Sequence, residues 1–255
     1  MMNIKAMNRY QASLMHLLVS GVVALLSSAL VFLLWYPGLL AYASGVLGIY
    51  LMLIGVDVAL GPLITLIVFN PKKKELRRDL LVVVLLQIAG LLYGLHTVYI
   101  ARPVYVVFVV DRFEVVYAND VLDDYLAKAR DPAYQKLPWL GPKTIAARLP
   151  TDSEERKNIL FSAVAGGPDV HQMPQYYEPY EESKVTAARR AQSLTMLKTL
   201  NVDKAATVDI LLAKYENLEG GVGFVPLKAK VADLTVIVDT KSGAVLETVD
   251  LMPWR

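Results

Sequence analysis

The chain has 255 residues, of which 55% are apolar and 20% charged, with no cysteine and a formal net charge of +2. It is too apolar for an ordinary soluble domain and too charged for a protein lying wholly in the membrane, and its composition excludes collagen, disordered tails and disulfide-stapled folds. Residues 1–101 contain three acidic and seven basic side chains, whereas residues 102–255 contain 21 acidic and 19 basic ones. We therefore predict a transmembrane domain over residues 1–101 and an α+β domain over residues 102–255.

Three long apolar runs predict three transmembrane helices, over about residues 14–36, 39–69 and 80–100. A helix of about 20 residues crosses the hydrocarbon core of a bilayer. The segment 70–79, NPKKKELRRD, contains five cations, so the positive-inside rule predicts a cytoplasmic loop there. Because the number of spans is odd, the N-terminus is predicted to be cytoplasmic and residues 102–255 periplasmic. The apolar run before Ala41-Tyr42-Ala43 is too long for a signal peptide, so we expect no cleavage.

Small residues recur at helical spacing in each predicted span. They are Ser20, Ala24 and Ser28 in the first, Ser44, Gly48, Gly55 and Ala59 in the second, and Gly90 and Gly94 in the third. Small side chains let helix backbones approach closely in lipid. They serve either the packing of the three helices on one another or a groove for the transmembrane helix of another protein. A GxxxG face can be satisfied within one chain or between two, so the oligomeric state stays open.

Asp57 is the acidic residue that the sequence places deep in the bilayer. An Asp at the centre of a span costs about 2.5 to 3.5 kcal/mol on insertion, so an intramembrane carboxylate is a functional candidate. Pro62 cannot donate to the carbonyl of Val58 and is expected to bend the second span. Counting from the basic residues of segment 70–79 puts Tyr93 at the depth of Asp57, where its hydroxyl is a candidate hydrogen-bond partner.

Residues 102–255 predict strands at both ends of a domain and helices between them. Two β-branched and aromatic runs surround Asp111-Arg112, predicting a hairpin or a bent strand. Helices are predicted from residue 119 or 120 to 130, from the capping box Thr151–Glu154 to Gly166, and over 181–200 and 203–217. Three strand-like runs follow, with a hairpin turn over 239–243.

Four polar or proline positions of this domain are interpreted as structural or turn residues: Arg102, Pro103, Asp111 and Arg112. Asp111 and Arg112 are adjacent, and neighbouring side chains of a regular strand point to opposite faces, which weakens a joint chemical role. Tyr176 and Tyr177 lie in a proline-rich loop and suit either a recognition surface or the edge of a core.

No motif of the sequence names a reaction. The spans supply one carboxylate where an intramembrane aspartyl protease needs two, and the sequence contains no HExxH, GxSxG or P-loop pattern. The three histidines are far apart along the chain, so a zinc site is not expected. We predict a protein that is not an enzyme, with no catalytic residues, metal or cofactor, whose partners are protein and membrane lipid and not nucleic acid.

Several long motifs resemble the TfpX/TfpZ family of type IV pilin accessory proteins. They are DVALGPLITLIVF at residues 57–69, the basic loop, Gln87, Tyr93-Gly94, RPVYVVFVVDRFEVV from Arg102, GGPDV at 166–170 and FVPLKAKVADLTVIVDTKSGAV at 224–245. The resemblance covers nearly the whole chain. It implies an inner-membrane protein, not itself a pilus subunit, that helps a cognate major pilin accumulate or enter the pilus, by contact with the pilin helix, its globular head or both.

This resemblance, together with the polar and small residues of the spans, gives a set of candidate partner-binding residues: Asp57, Gly61, Pro62, Thr65, Gly90, Tyr93, Gly94, Tyr176 and Tyr177. Two other functions stay open. One is a membrane-anchored periplasmic sensor or scaffold, although the loop 70–79 is too short to hold an output domain. The other is a small transporter using Asp57, although a transport pathway would normally recruit more polar positions.

Overall fold

The structure, a computed structural model, describes residues 7–254. By its internal contacts the chain divides into two compact units. The first comprises residues up to Leu34 together with Val46–Ile100, and the second comprises Trp35–Gly45 together with the chain from Ala101 onward. Three apolar helices long enough to cross a membrane precede a domain of mixed sheet and helices. The predicted fold class is therefore confirmed.

The first unit consists of three long helices. Helix α1 covers Arg9–Ala29 and continues as a π-helix over Leu30–Trp35, α3 covers Val46–Val68 and α4 covers Leu76–Ile100. Helix α1 begins five residues before the predicted apolar run because Asn8 and Gln11 form a capping box. The Asn8 carboxamide oxygen accepts the Gln11 amide at 2.9 Å, and the Gln11 side chain accepts the Asn8 amide at 3.0 Å. Helix α4 begins at Leu76, four residues before the predicted span. The apolar run starts later than the helix because residues 77–79 in the first turn are charged.

The second span is shorter at its start than the apolar run 39–69 predicts. Residues Leu40–Ala43 form a separate short helix, α2, and Gly45 at φ +73° interrupts the chain before α3. Ala43 is fully buried in the core of the second unit, where its carbonyl accepts the Val231 amide at 2.9 Å. These apolar residues therefore fill the core of a folded domain instead of extending a membrane helix.

The second unit is built on a mixed sheet. Its strands are β1 (Pro103–Val109), β2 (Arg112–Tyr117), β3 (Lys143–Ala147), β4 (Tyr177–Pro179), β5 (Gln192–Ser193), β6 (Val222–Lys228), β7 (Leu234–Asp239) and β8 (Val245–Val249). The order is β4-β3-β1-β2-β6-β7-β8, with β5 also paired to β6. The β1–β3 and β2–β6 pairs are parallel and the others antiparallel. Of the hairpin and the bent strand that were predicted as alternatives around Asp111-Arg112, the structure has the hairpin, and the hairpin predicted at residues 239–243 is confirmed.

In the described part of the second unit, five further α-helices accompany the sheet, and two helix predictions need correction. They are α5 (Asp123–Leu126), α6 (Ser153–Val164), α7 (Tyr180–Arg190), α8 (Leu194–Leu200) and α9 (Ala205–Lys214). The predicted helix from residue 119 or 120 to 130 is wrong on both sides of α5, because Val121 is extended and buried between a 3₁₀ turn and α5, and α5 itself ends at Leu126. The predicted helix 181–200 is wrong between α7 and α8, where Gln192 and Ser193 pair with β6. Tertiary pairing there overrides local helix propensity.

The predicted start of α6 is confirmed, but its cap is a different residue from the one expected. Asp152, not Thr151, is the N-cap, and its carboxylate accepts the backbone amides of Glu154 at 2.6 Å and Glu155 at 3.0 Å. A carboxylate suits this position because it also faces the positive end of the helix dipole.

Candidate functional site

Helix α3 forms the floor of a groove in the first unit. It packs against both α1 and α4, whereas α1 and α4 hardly touch each other over the part of the chain that the structure describes. The groove encloses a volume of about 360 Å³. Its walls are Ala12, Met15, His16, Val19, Ser20, Val23 and Ala24 on α1, and Leu80, Val84, Gln87, Ile88 and Leu91 on α4. These positions recur every three or four residues, so each set forms one continuous helix face.

Asp57 lines this groove at the midpoint of α3. It is the twelfth of the 23 residues of that helix. Within residues 7–254, no hydrogen bond or ion pair involves its carboxylate. Gln87 from α4 instead donates its side-chain amide to the backbone carbonyl of Asp57 at 3.2 Å. The groove therefore presents a carboxylate without a protein partner among mainly apolar walls.

A second polar layer lies nearer the end of α3. His16 Nδ1 is 2.6 Å from Thr65 Oγ1, and the hydroxyl of Ser13 donates to the carbonyl of Pro62 at 2.9 Å. Thr65 is only 2% exposed, and Gly61 and Pro62 are also buried. The helix continues through Pro62 to Val68. These contacts connect α1 to α3 and fix one wall of the groove.

The glycines of the spans have different surroundings. A Cβ atom at Gly61 would overlap the carboxamide of Gln87, and one at Gly94 would overlap the side chain of Leu53. Gly90, by contrast, has no neighbour within 4 Å of an added Cβ, and the same holds for Gly48 and Gly55. Of the two glycines in the GxxxG motif, Gly94 therefore packs closely against α3, whereas Gly90 makes no close contact with the described residues.

Tyr93 is not brought to Asp57. Its side chain is 76% exposed, and it is not part of the face of α4 that lines the groove. Equal depth along two helices does not imply equal rotation about their axes, and the face of α4 turned to the groove carries Gln87 instead. His16 was not predicted as a site residue, although its four-residue spacing from Ala12 and Ser20 on one face was visible in the sequence.

The two candidate tyrosines of the outer domain are packed against their own chain. Tyr177 is buried, donates its hydroxyl to the carbonyl of His171 at 2.6 Å, and packs edge-on against Tyr105 at 5.3 Å. Burial raises the pKa of this hydroxyl well above its ordinary value. Tyr176 is half-buried and donates to Glu155 at 2.5 Å. The structure places Tyr177 in the core and leaves Tyr176 as the more accessible of the two.

The residues interpreted as structural lie around the β1–β2 hairpin. Arg102 is buried and donates through Nη2 to the carbonyl of Pro138 at 2.7 Å, while Pro103 opens β1. Asp111 and Arg112 form an ion pair at 3.1 Å beside the hairpin turn. The guanidinium of Arg112 also lies 5.7 Å from the centre of the Trp254 ring. Arg102 and Pro103 therefore lie at the start of β1, and Asp111 and Arg112 lie at the turn between β1 and β2.

Two partly buried ionisable side chains of the second unit, Glu114 and His171, were not predicted as site residues from the sequence. Burial raises the pKa of Glu114 to about 7, although Lys228 and Arg112 oppose the shift. Burial lowers the pKa of the nearby turn residue His171, although Asp169 opposes this. The available signal was a single Glu inside the apolar run FEVVYA, at a strand position between Phe113 and Val115.

Comparison with known proteins identifies the family. A family model described as "Fimbrial assembly protein FimB" matches residues 4–45. The chain is 35% identical over 217 residues to "Fimbrial assembly protein, serogroup I" of Dichelobacter nodosus, a match that covers 83% of each chain. The chain belongs to the fimbrial assembly proteins. Two further proteins of that organism agree: the serogroup E1 protein is 33% identical over 216 residues, covering 83% of each chain, and the serogroups C1 and C2 protein is 37% identical over 116 residues, covering 45% of this chain and 88% of that one.

No solved structure matches this fimbrial assembly protein. Membership of the family indicates a role in the biogenesis of fimbriae and supports the broader part of the resemblance seen in the sequence. The names of the relatives describe assembly and state no reaction. Within the described part of the chain, no group of three or more His, Asp and Glu side chains is placed to hold a metal ion.

Proposed function

We propose that this fimbrial assembly protein is a type IV pilin accessory protein of the TfpX/TfpZ kind. It assists a cognate major pilin to accumulate, to remain stable or to be assembled, and it does so by binding and not by catalysis. It lies in the bacterial inner membrane with three transmembrane helices within residues 1–101 and a periplasmic domain over 102–255, with which the segment Trp35–Gly45 associates. The resemblance of the long motifs and the family membership support this proposal.

The groove between α1 and α4 is the observation that carries the proposal. A pilin awaiting assembly has one apolar helix in the inner membrane and a globular head in the periplasm. Helices in lipid associate through close packing and polar contacts, since lipid is itself apolar. The groove offers both features, with Ser20 and Ala24 on its wall and Asp57 on its floor. The pilin helix would lie in this groove while its head contacts residues 102–255.

The proposed orientation is supported by how the chain segments associate. The segment Trp35–Gly45, which connects the first two spans, belongs to the same compact unit as residues 101–254. Two segments of one folded unit lie on the same face of a membrane. The five cations of loop 70–79 favour the cytoplasm for the opposite face. The resulting arrangement puts both segments of the second unit in the periplasm.

Site-specific photocrosslinking in cells tests the proposal. A photoreactive residue at Val19 faces the groove, whereas one at Leu18 is a matched control on the same helix turn outside it. We expect the first to capture the major pilin and the second to capture much less. A deletion strain should lose surface pili and recover them with the wild-type chain.

The proposal would have to be abandoned if neither position captured pilin in cells that make normal amounts of both proteins. It would also fail if deletion left piliation at the wild-type level. Equal capture from Val19 and Leu18 would place the contact outside the groove.

A further inference from the structure

The shape of the groove in the first unit fits a helix. Its α1 wall runs from Ala12 to Ala24, which is about 18 Å of helix, and the α4 wall from Leu80 to Leu91 is of similar length. Both walls are single helix faces, and small side chains at Ala12, Ser20 and Ala24 leave space for close approach of a backbone. A fourth helix beside α1, α3 and α4 would complete a bundle.

The depth of the groove restricts which molecules reach its floor. Eleven residues separate Asp57 from each end of α3, which corresponds to about 16 Å of helix on either side. A lipid headgroup at the membrane surface does not reach that depth in a hydrocarbon core about 30 Å thick. A polypeptide at this depth must satisfy its own backbone hydrogen bonds, so it enters as a helix.

The charge of the groove defines the chemistry of the occupant. Over residues 7–254 the Asp57 carboxylate has no hydrogen-bond or ion-pair partner, and the Gln87 amide that lies beside it donates to the Asp57 backbone carbonyl. Among the described residues, no Lys or Arg lines the groove. A carboxylate in lipid is expected to pair with a donor. The missing donor therefore comes from the occupant.

We propose that the groove binds a transmembrane helix of another protein that carries a hydrogen-bond donor, an amine, a guanidinium or an amide, near its midpoint and opposite Asp57. The inference rests on the proposed function and deepens it, because it specifies the chemistry that selects the partner helix. Packing against α1 and α4 supplies the affinity for an apolar helix, and the contact with Asp57 supplies the selectivity among such helices.

Binding of synthetic transmembrane helices to the full-length protein tests this inference. Two 23-residue apolar helices are compared, one with Lys and one with Leu at the central position, in phosphatidylcholine vesicles. The chain contains no cysteine, so Lys74→Cys gives a single labelling site for energy transfer. We expect the Lys helix to bind about three- to eighteen-fold more tightly, which corresponds to the average and the maximum contribution measured for polar contacts between membrane helices.

Four variants test whether the preference for the Lys helix depends on Asp57 and on the groove. Asp57→Leu and Asp57→Asn remove the carboxylate and should abolish or strongly reduce the preference for the Lys helix. Asp57→Asn is included because Asn has nearly the size of Asp and leaves the packing of the helices unchanged. Asp79→Asn removes a carboxylate at the start of α4, outside the groove lining, and should leave the preference unchanged. Ala24→Leu fills the groove and should weaken binding of both helices.

The inference is overturned if the two helices bind equally, if neither binds, or if the preference survives both Asp57 substitutions. Self-association of the labelled protein that disappears on Asp57→Leu would assign the groove to a second copy of this chain and would also overturn it. Because this assay contains no pilin, its failure leaves the pilin proposal standing. Conversely, a preference for the Lys helix without pilin capture in cells would retain the groove chemistry and reject pilin as its occupant.

Discussion

Gly61 is the position at which helix packing in the first unit depends most directly on the absence of a side chain. A Cβ atom there would overlap the Gln87 carboxamide, whereas a Cβ at Gly55, on the same helix, meets nothing within 4 Å. Gly61→Ala and Gly55→Ala are therefore the same chemical change in two environments. The clash involves the end of a flexible side chain, so we expect Gln87 to swing away and to lose its hydrogen bond to the Asp57 carbonyl.

The size of the effect follows from this contact. A hydrogen bond between membrane helices contributes about 0.6 kcal/mol on average and at most about 1.7 kcal/mol. Replacing Gly by Ala in a helix interior contributes up to about 1 kcal/mol in the stabilising direction. Gly55→Ala should show only the stabilisation from replacing Gly by Ala. Gly61→Ala should show this stabilisation together with the loss of the hydrogen bond. We expect Gly61→Ala to have a free energy of unfolding about 0.6 to 1.7 kcal/mol lower than that of Gly55→Ala, which is the contribution of the lost hydrogen bond.

Unfolding in mixed detergent micelles, followed by energy transfer between labels on α3 and α4, measures this difference. The double substitution Gly61→Ala/Gln87→Ala completes a cycle. Once Gln87 is truncated, the added methyl group has no amide to displace, so Gly61→Ala should cost less in that background. Equal free energies of unfolding for Gly61→Ala and Gly55→Ala, or no coupling in the cycle, would refute the close approach of α3 and α4 at Gly61.

Three predictions concern the second unit. Burial raises the pKa of Glu114 from 4.5 to about 7, so the native state holds a proton that the unfolded chain releases between these values. Stability should therefore fall as the pH rises from about 4.5 to about 7 and level off above that, by at most roughly 3 kcal/mol in total, and Glu114→Gln but not Glu216→Gln should remove this fall in denaturant titrations. Tyr180→Phe removes the 2.7 Å hydrogen bond to the buried carbonyl of Gly243 and should cost about 1 to 3 kcal/mol, seen as faster hydrogen exchange in the β7–β8 hairpin. Asp152→Ala should cost about 1 kcal/mol by thermal unfolding, whereas Asp152→Asn, which keeps an accepting oxygen, should cost little.

The number of spans and the two hairpins were predictable because each follows from local patterns. A run of apolar residues long enough to cross a bilayer predicts a span by itself, and the β-branched and aromatic runs on either side of Asp111-Arg112 predict strands by themselves. The ends of helices were harder to predict from the sequence. The first span begins at Arg9 through a cap that lies outside the apolar run, and the cap of α6 moved by one residue to Asp152.

Where segments pair with distant parts of the chain, local propensity failed. Gln192 and Ser193 read as helix but pair with β6, and Leu40–Ala43 reads as membrane but fills the core of the second unit. In both cases a contact with residues far along the chain, at Phe224 and at Val231, decides the conformation. Such contacts leave no signature at the segment itself.

For the candidate site, too, some features are predictable from the sequence and others depend on contacts between distant residues. The sequence by itself determined that one carboxylate, Asp57, lies in the middle of an apolar span, because an acid in such a run is visible without a fold. Which residues surround it depended on how each helix is rotated about its axis. Tertiary structure turned Gln87 and His16 into the groove and Tyr93 away from it. Rotation is set by side-chain packing between helices, such as Gly61 on Gln87 and Gly94 on Leu53, which depth counting along the chain cannot supply.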